Sequence, residues 1–387
     1  MMNSIAATTR GARYLVRLIF SASLLTLAAC GAAGGDTSVT TPSTVLSATQ
    51  IATDLVKQKG LPGAVAVSVT TTSIDAQVSG VLRVGGATAT INDRFAVGSL
   101  TKSMTASLAA VLVQEKRLTW ESRPIDVLPE IAATAKAAYA TVTLKDLLAH
   151  RSGVFAGVDT AQLLQVPPLT GDAVAQRAQF AQWALAQEPK FTPRSKTEYS
   201  NGGYVVAGAM LERVAGQAYE VAIQSRVFTP IGVRVVFGSP GADGASEAWG
   251  HTTANGRDWL ASAPDIQDAY FPAVLNPAGG AKLSAVDFGK YLQMHLRALR
   301  GRADQPISAA NAVLLHTIVQ EGLALGWIGG KDTQDRPLTF HNGSNDASYY
   351  ALMAVYDARD GAGVVITNAY RASVASDLNT ALLGLLP

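Results

Sequence analysis

The chain carries strand-like segments at both ends and helical segments between them, and this layout restricts the folds open to it. Apolar runs typical of strands lie at 64–69 and around 77–84, and three more lie between 323 and 368. From about 120 to 275, helical segments alternate with loops rich in Pro and Gly. We therefore predict an α/β (α+β) fold in which both chain ends form an antiparallel sheet flanked by helices. A mostly helical lobe is inserted at about 120–275, and a site between the two lobes is the default expectation.

Capping and turn signals predict the main elements. Ser47-Ala-Thr-Gln50 has the pattern of a capping box, which opens a helix. The segment Arg359-Asp360-Gly361 has the composition of a hairpin turn between two strands. The expected helices cover 47–59, a stretch from about 99, 283–299 and 373–386.

The first 29 residues have the features of a secretory signal. They contain three arginines and no acidic residue, and their apolar run of about 12 residues is too short to span a bilayer. The run ends at Leu27-Ala28-Ala29-Cys30, which resembles the bacterial lipobox, whose cysteine is lipidated. We predict a lipoprotein signal peptide over 1–29, lipid attachment at Cys30, a flexible tether over 30–46 and one domain over 47–387. The alternative is an ordinary cleaved signal with an incidental cysteine.

The predicted anchor and the charge balance indicate the partners. The glycine after Cys30 resembles sorting to the outer membrane, so we expect a lipid-anchored protein of the bacterial cell envelope, on the periplasmic face of that membrane. Beyond residue 29 the chain has 28 basic and 29 acidic residues, which gives no reason to expect nucleic acid. His251, His295 and His316 show no spacing typical of a metal site, and no metal or cofactor is expected. The remaining expected partner is a small-molecule or peptide substrate.

The segment Ser99-Leu-Thr-Lys102 places a hydroxyl and an amine on one face of a predicted helix. A serine needs a neighbouring base to become a nucleophile. A lysine is such a base only when burial or nearby charge lowers its pKa. Alone the motif is weak, because a helix with an ordinary serine and a solvated lysine has the same pattern.

Two further motifs carry groups suited to proton transfer and substrate binding. In Tyr199-Ser-Asn201, a phenol beside an amide is able to relay a proton and to hold a substrate carbonyl. In His341-Asn-Gly343, at the end of a predicted strand, the glycine lets a substrate backbone lie close to the strand. Taken singly, each motif is more often structural. Tyr-x-Asn is usually a turn with a packed aromatic ring, and a histidine within a strand usually has a structural role.

In this order, the three motifs resemble the class C β-lactamase-like serine hydrolases, which include DD-peptidases, D-aminopeptidases and carboxylesterases. The resemblance covers most of 47–387 and includes RFAVGSLTKSM at 94–104, LKDLLAHRSGV at 144–154 and GGAKLSAVDFGKYL at 279–292. It implies two-step acyl transfer through an acyl-enzyme, without metal or cofactor. Ser99 is then the acylated nucleophile and Lys102 its general base. Tyr199 passes the proton to the leaving group and activates water for deacylation, and Asn201 holds the substrate amide or carbonyl.

The resemblance also implies that the third motif, on the predicted strand, lines the substrate-binding site. The backbone N–H groups of Ser99 and Ser344 form the oxyanion hole beside His341 and Gly343. β-Lactamases proper usually carry lysine where His341 stands, whereas penicillin-sensitive peptidases and several esterases carry histidine. With an ordinary pKa of about 6.5, His341 is expected to hold an anionic substrate less well as the pH rises through that value.

Another departure from the family lies upstream of Tyr199, where Pro193-Arg194-Ser195 stands in place of the usual Pro-Gly. This change is expected to alter the loop under the site. His150 and Arg151 lie in the loop outside the three motifs, and we expect them to be structural.

Three functions remain open from the sequence. The first is a hydrolase of peptides with D-amino-acid ends or of carboxylic esters. The second is a true β-lactamase, which uses the same residues and differs in releasing its acyl-enzyme quickly. The third is a non-catalytic envelope binding protein on the same scaffold, which the three intact motifs argue against.

The lipobox generates a direct prediction. Replacing Cys30 with alanine is expected to release the protein from membranes, because the lipid attaches to that thiol, while the domain keeps its specific activity. Membrane fractionation with an activity assay measures both. A Cys30→Ala protein that still pellets with membranes would contradict the anchor.

Overall fold

The computed structural model describes residues 45–387 apart from 158–161, 163–164, 265–271, 333 and 346–347. The predicted signal peptide, Cys30 and almost all of the tether lie outside the described residues. Within the described part of the chain, no helix is both long enough and apolar enough to cross a membrane.

The main sheet has six antiparallel strands in the order β2-β1-β11-β10-β9-β8. These strands are β1 (Gly63–Val69), β2 (Ile74–Gly80), β8 (Ile328–Lys331), β9 (Pro337–Asn345), β10 (Tyr349–Tyr356) and β11 (Gly361–Thr367). Because β1 pairs directly with β11, the two chain ends form one sheet, and this confirms the predicted antiparallel sheet. The Asp357–Arg359 turn, with Asp360 left-handed, joins β10 to β11 where the hairpin is predicted.

Helices cover both faces of this sheet, which explains why its central strands are apolar throughout. The helices are α1 (Ala48–Lys57), α2 (Thr101–Gln114), α3 (Pro124–Val127), α4 (Leu144–Leu148), α5 (Ala173–Ala186), α6 (Asn201–Ala215), α7 (Tyr219–Ile223), α8 (Asn276–Gly279), α9 (Ala285–Leu299), α10 (Ala309–His316) and α11 (Val374–Leu385). On β1, Val65 and Val67 belong to the core beneath α2 and α9, whereas Ala64 and Ala66 face α1 and α11. Alternate residues of a strand point to opposite faces, so burial on both sides requires an apolar residue at every position.

The middle of the chain contains short strands as well as helices. The strands β3 (Phe95–Ala96), β4 (Val236–Phe237) and β7 (Ala281–Leu283) form a three-stranded sheet in the order β3-β7-β4. A second pair joins β5 (Gly250–Thr252) to β6 (Leu260–Ser262). The small three-stranded sheet lies at the start of the segment that carries Ser99.

The predicted position of the second strand is wrong. It was expected around 77–84, but β2 spans Ile74–Gly80. Gly80 has φ +89°, and a Cβ there would lie 2.2 Å from the Pro62 carbonyl oxygen. This left-handed residue ends the strand, and the chain then forms a separate small turn in which Val81 bridges Thr88.

All five histidines in the sequence have a lowered pKa because burial disfavours the charged ring. For His316 and His341 the pKa falls to about 3. In the unfolded chain these rings bind protons near pH 6.5. Between the folded and unfolded values the unfolded state therefore holds more protons, so stability is complete above pH 6.5 and decreases as the pH falls.

The buried histidines predict an acid-sensitive fold. Between pH 7.5 and 5.5, the free energy of unfolding is expected to fall by several kcal/mol. Each neutral histidine contributes up to about 1.4 kcal/mol per pH unit below 6.5. Most carboxylates titrate below this window, so urea unfolding at the two pH values isolates the histidines. Equal free energies of unfolding would contradict their burial in the neutral form.

Candidate active site

Ser99 lies in a tight turn between the small sheet and α2. The turn spans Gly98–Leu100, and Ser99 is partly exposed while its neighbours are buried. Gly98 has φ +54°, and a Cβ there would lie 2.8 Å from the Ser344 amide nitrogen. The Thr101 hydroxyl donates to the Gly98 carbonyl at 2.7 Å and accepts from the Ala281 N–H at 3.1 Å. The turn is therefore bonded to β7 through Thr101 and contacts β9 at Gly98.

Lys102 follows one helical turn later and is completely buried. Its Nζ lies 3.1 Å from Ser99 Oγ, 2.7 Å from Asn201 Oδ1 and 2.6 Å from the Ala278 carbonyl oxygen. Among the described residues, no carboxylate forms an ion pair with it. Desolvation by burial lowers the pKa of Lys102 well below its ordinary value of 10.5.

The three contacts of Lys102 Nζ fit a charged amine, which donates to all three oxygens, and also a neutral amine, the form that desolvation favours. A neutral amine has two N–H donors and one lone pair, whereas Asn201 Oδ1 and the Ala278 carbonyl oxygen only accept. Those two oxygens take both protons, which leaves the lone pair for the third neighbour, Ser99 Oγ. In this state the Ser99 hydroxyl donates to Lys102, the geometry that a general base requires.

Tyr199 covers Lys102 from the helical side. Lys102 Nζ lies 4.7 Å from the centre of the Tyr199 ring, and His150 stacks on that ring at 4.5 Å. Burial raises the pKa of Tyr199 well above its usual range, and a hydrogen bond with Ser99 opposes that shift. Tyr199 is therefore a neutral phenol in contact with the serine hydroxyl, placed to relay a proton.

Asn201 begins α6, and local hydrogen bonds fix it there. The Ser200 side chain caps the helix by accepting from the Gly203 N–H at 2.8 Å. His150 Nδ1 accepts from the Ser200 N–H at 3.0 Å. The side-chain amide of Asn201 forms two hydrogen bonds. Its Oδ1 accepts from Lys102, and its Nδ2 donates to the Gly157 carbonyl at 2.8 Å. His150 thus positions the Tyr199–Asn201 segment rather than only its own loop.

The strand β9 closes the other side of the turn. A Cβ at Gly343 would lie 2.1 Å from the Val97 carbonyl oxygen and 2.8 Å from the Ser99 amide nitrogen. Only glycine allows this approach. The backbones of Ser99 and Ser344 therefore meet beside the nucleophile, where an oxyanion hole is expected, and the Ser344 hydroxyl donates to the Tyr349 carbonyl at 2.8 Å.

His341 is buried and uncharged, which corrects the expectation that it titrates near pH 6.5. Burial is the main cause that lowers its pKa to about 3, and Lys102 in its charged form acts in the same direction. Its Nδ1 lies 2.6 Å from the Asn342 carbonyl oxygen. A carbonyl only accepts, so Nδ1 carries the proton and Nε2 is an acceptor.

The Pro193-Arg194 departure has a structural explanation. Arg194 adopts φ +69°, a left-handed conformation that favours glycine. Its side chain compensates by pairing with Asp146, which is buried and also binds Arg151. These arginines hold the pKa of Asp146 below its usual range, against burial, which raises it. Arg151 is thus structural, as predicted.

Sequence reasoning missed two contributors to the site. The Ala278 carbonyl, in α8, binds Lys102, and the only signal for it is the Gly279-Gly280 pair that ends that helix. His150 was assigned to the loop alone, although it stacks on Tyr199. Across the described ranges, no group of three or more His, Cys, Asp or Glu side chains is arranged to hold a metal ion.

The contact at Gly343 predicts a sensitive position. We expect Gly343→Ala to lower kcat/KM by about a hundredfold, because the new methyl group would push β9 away from Ser99. Gly384→Ala is the control, since the nearest atoms to its Cβ would be in the side chains of Leu46, at 3.3 Å, and Ile51, at 3.5 Å, rather than in the backbone. Ester hydrolysis and thermal unfolding are measured for both variants. Wild-type rates in Gly343→Ala would show that the close contact is not required.

The chain is similar to known proteins over most of its length. A family model described as Beta-lactamase matches residues 48–385. The chain is 28% identical over 338 residues to penicillin-binding protein 4 from Amycolatopsis lactamdurans, covering 84% of this chain and 85% of that protein.

Two solved structures are similar over most of the chain. A penicillin-binding protein from Bacillus halodurans matches with a TM-score of 0.68 and 20% identity, covering 86% of this chain and 98% of the other. A D-stereospecific amidohydrolase from a Streptomyces species matches with a TM-score of 0.64 and 21% identity, covering 87% and 97%. At these identities the likeness shows the fold alone. The family match spans nearly all of the folded chain, and we conclude that the chain belongs to the β-lactamase family.

Proposed function

We propose that this protein is a serine hydrolase that forms an acyl-enzyme on Ser99. The observation that carries the proposal is the buried Lys102 amine, which lies 3.1 Å from Ser99 Oγ and forms no ion pair with any carboxylate of the described residues. A charged lysine is costly at a buried position, and a neutral one is a base. The substrates proposed are carboxylic esters or peptides with D-amino-acid ends.

In the acylation step, Lys102 Nζ takes the proton as Ser99 Oγ attacks the carbonyl carbon. Negative charge develops on the carbonyl oxygen, between the backbone N–H groups of Ser99 and Ser344. Tyr199 contacts Ser99 and lies over Lys102 Nζ, so it is placed to pass the proton to the leaving group. Asn201 holds the substrate carbonyl or amide. In deacylation, the same residues activate a water molecule, which attacks the acyl carbonyl, and Ser99 Oγ leaves and recovers its proton.

Charge in the site favours uncharged acyl donors. His341 is neutral because burial lowers its pKa to about 3, so a substrate carboxylate gains no charge-assisted hydrogen bond from it. Desolvation lowers the pKa of Lys102 well below 10.5 and so disfavours its charged form. This supports esters above the anionic β-lactams as substrates. The similarity to a penicillin-binding protein and to a D-stereospecific amidohydrolase supports D-peptides as the second substrate class.

We also propose that the protein acts in the bacterial cell envelope, anchored through Cys30 to the periplasmic face of the outer membrane. The support is the lipobox sequence and the polar tether that follows it. A hydrolase of envelope peptides or esters needs access to that compartment, which the anchor would supply.

Removing the nucleophile tests the proposal. We expect Ser99→Ala to abolish labelling by a fluorescent fluorophosphonate and to lower ester turnover by several orders of magnitude, with the fold intact. Lys102→Ala is expected to be nearly as severe, because the two groups act as a unit. Ser225→Ala serves as the matched control. Ser225 lies in the helical turn after α7, and its hydroxyl donates to the nearby Ala222 carbonyl. Near-normal turnover in Ser99→Ala would contradict the mechanism.

Substrate charge gives a separate prediction. Because His341 charges only as the pH approaches 3, its titration should leave the relative kcat/KM of an anionic and a neutral ester constant from pH 6 to 8. His341→Lys is expected to raise the relative rate for the anionic ester about tenfold, the effect of one charge-assisted hydrogen bond. A wild-type preference that changes around pH 6.5 would show that His341 is charged there.

Rapid turnover of a chromogenic cephalosporin would favour the β-lactamase alternative, and no turnover of any substrate would favour a binding protein.

A further inference from the structure

A continuous chain of hydrogen bonds runs through the core from β9 to α2, away from the reacting groups. Thr339 Oγ1 lies 2.6 Å from His316 Nδ1, and His316 Nε2 lies 3.0 Å from His295 Nδ1. His295 Nε2 lies 3.2 Å from Ser107 Oγ, on α2. Trp327 packs on both rings, with centroids 4.4 Å from His316 and 5.1 Å from His295.

The chain continues along α2 to the turn of the nucleophile. The Ser107 hydroxyl donates to the Ser103 carbonyl at 3.0 Å, and the Tyr291 hydroxyl donates to Ser103 Oγ at 2.9 Å. Ser103 in turn donates to the Leu100 carbonyl at 2.7 Å, within the Gly98–Leu100 turn. The path thus joins β9 to the backbone of the residue that follows Ser99.

One arrangement of protons satisfies every bond in this chain. The Ser107 proton goes to a carbonyl, so Ser107 Oγ accepts from His295 Nε2–H. His295 Nδ1 then accepts from His316 Nε2–H, and His316 Nδ1 accepts from the Thr339 hydroxyl. Both rings are neutral with the same tautomer. Ser107 and His295 are fully buried, and His316 and Thr339 are half-buried. A satisfied polar network shielded from water in this way is rigid, because each bond fixes the direction of the next.

The chain of hydrogen bonds joins β9 to α2, the same strand and helix that form the site around Ser99. Thr339, His341 and Gly343 alternate along β9, so their side-chain positions share the face toward α2, while Leu338 and Phe340 pack in the core on the other face. Ser103 and Ser107 are four residues apart on α2 and share one side of it, and Ser99 lies four residues before Ser103, in the turn that leads into the helix. Strand and helix are therefore connected twice, by Gly343 against Ser99 and by Thr339 through the histidine pair.

We propose that this histidine chain is a brace that sets the separation of β9 and α2, so that Thr339, His316 and His295 are positioning residues for the reaction at Ser99. The proposal rests on the proposed function. If the brace relaxes, the Ser344 N–H moves relative to Ser99, and this weakens stabilisation of the oxyanion more than substrate binding. The expected signature is a lower kcat with a nearly unchanged KM.

Thr339→Val tests the brace, because valine keeps the shape of threonine and lacks the hydroxyl that donates to His316. Thr339→Ser restores the donor. Thr367→Val is the matched control, since Thr367 lies on β11 of the same sheet, is fully buried and donates to the Gly63 carbonyl at 2.7 Å. Each protein is assayed for kcat and KM on p-nitrophenyl butyrate, for the rate of labelling by a fluorophosphonate, and for thermal unfolding.

We expect Thr339→Val to lower kcat and the labelling rate about tenfold, with KM within about twofold of wild type. Thr339→Ser and Thr367→Val should keep wild-type kcat, even where Thr367→Val lowers the melting temperature. Wild-type kcat in Thr339→Val, or an equal loss in Thr367→Val, would overturn the brace and leave the proposed function intact. Wild-type protein that neither labels nor hydrolyses the ester would overturn the proposed function and the positioning role with it.

Discussion

The burial of the Lys102 amine is the constraint on which the arrangement of the site depends. Its three partners come from three parts of the chain: Ser99 in the turn before α2, Asn201 at the start of α6 and the Ala278 carbonyl in α8. Removal of water makes the charged amine costly, and the two acceptor oxygens then determine where the lone pair points. The chemistry therefore requires that the helical region and both chain ends pack without a gap around one nitrogen atom.

That packing is maintained by polar groups that never touch a substrate. Asn276 in α8 donates to Glu220 at 2.8 Å, and Glu220 pairs at 3.0 Å with Arg177, which is fully buried and also binds Glu212. This network fixes α8, and so the carbonyl of Ala278. On the opposite side of α2, the histidine brace connects to β9. The site is thus supported from both sides, and close backbone contacts complete it where a side chain would not fit.

Much of this could be predicted from the sequence, because it depends on local spacing. The relation of Ser99 to Lys102 follows from helical periodicity, and the sheet follows from apolar runs at both chain ends. The rest depends on burial and on backbone atoms. The Ala278 carbonyl belongs to no motif and lies 176 residues from Lys102. The uncharged state of His341 requires knowledge of what surrounds its ring, and the left-handed Arg194 is stable only because Asp146 pairs with it.

The most direct test of the account is the titration of Lys102 itself. Nuclear magnetic resonance of protein labelled in the lysine side chains reports each amine, and Lys102→Met identifies the Lys102 signal by its loss. We predict that Lys102 loses its proton well below the ordinary lysine pKa of 10.5. A Lys102 signal that stays charged up to pH 10.5 would contradict its role as the base for Ser99.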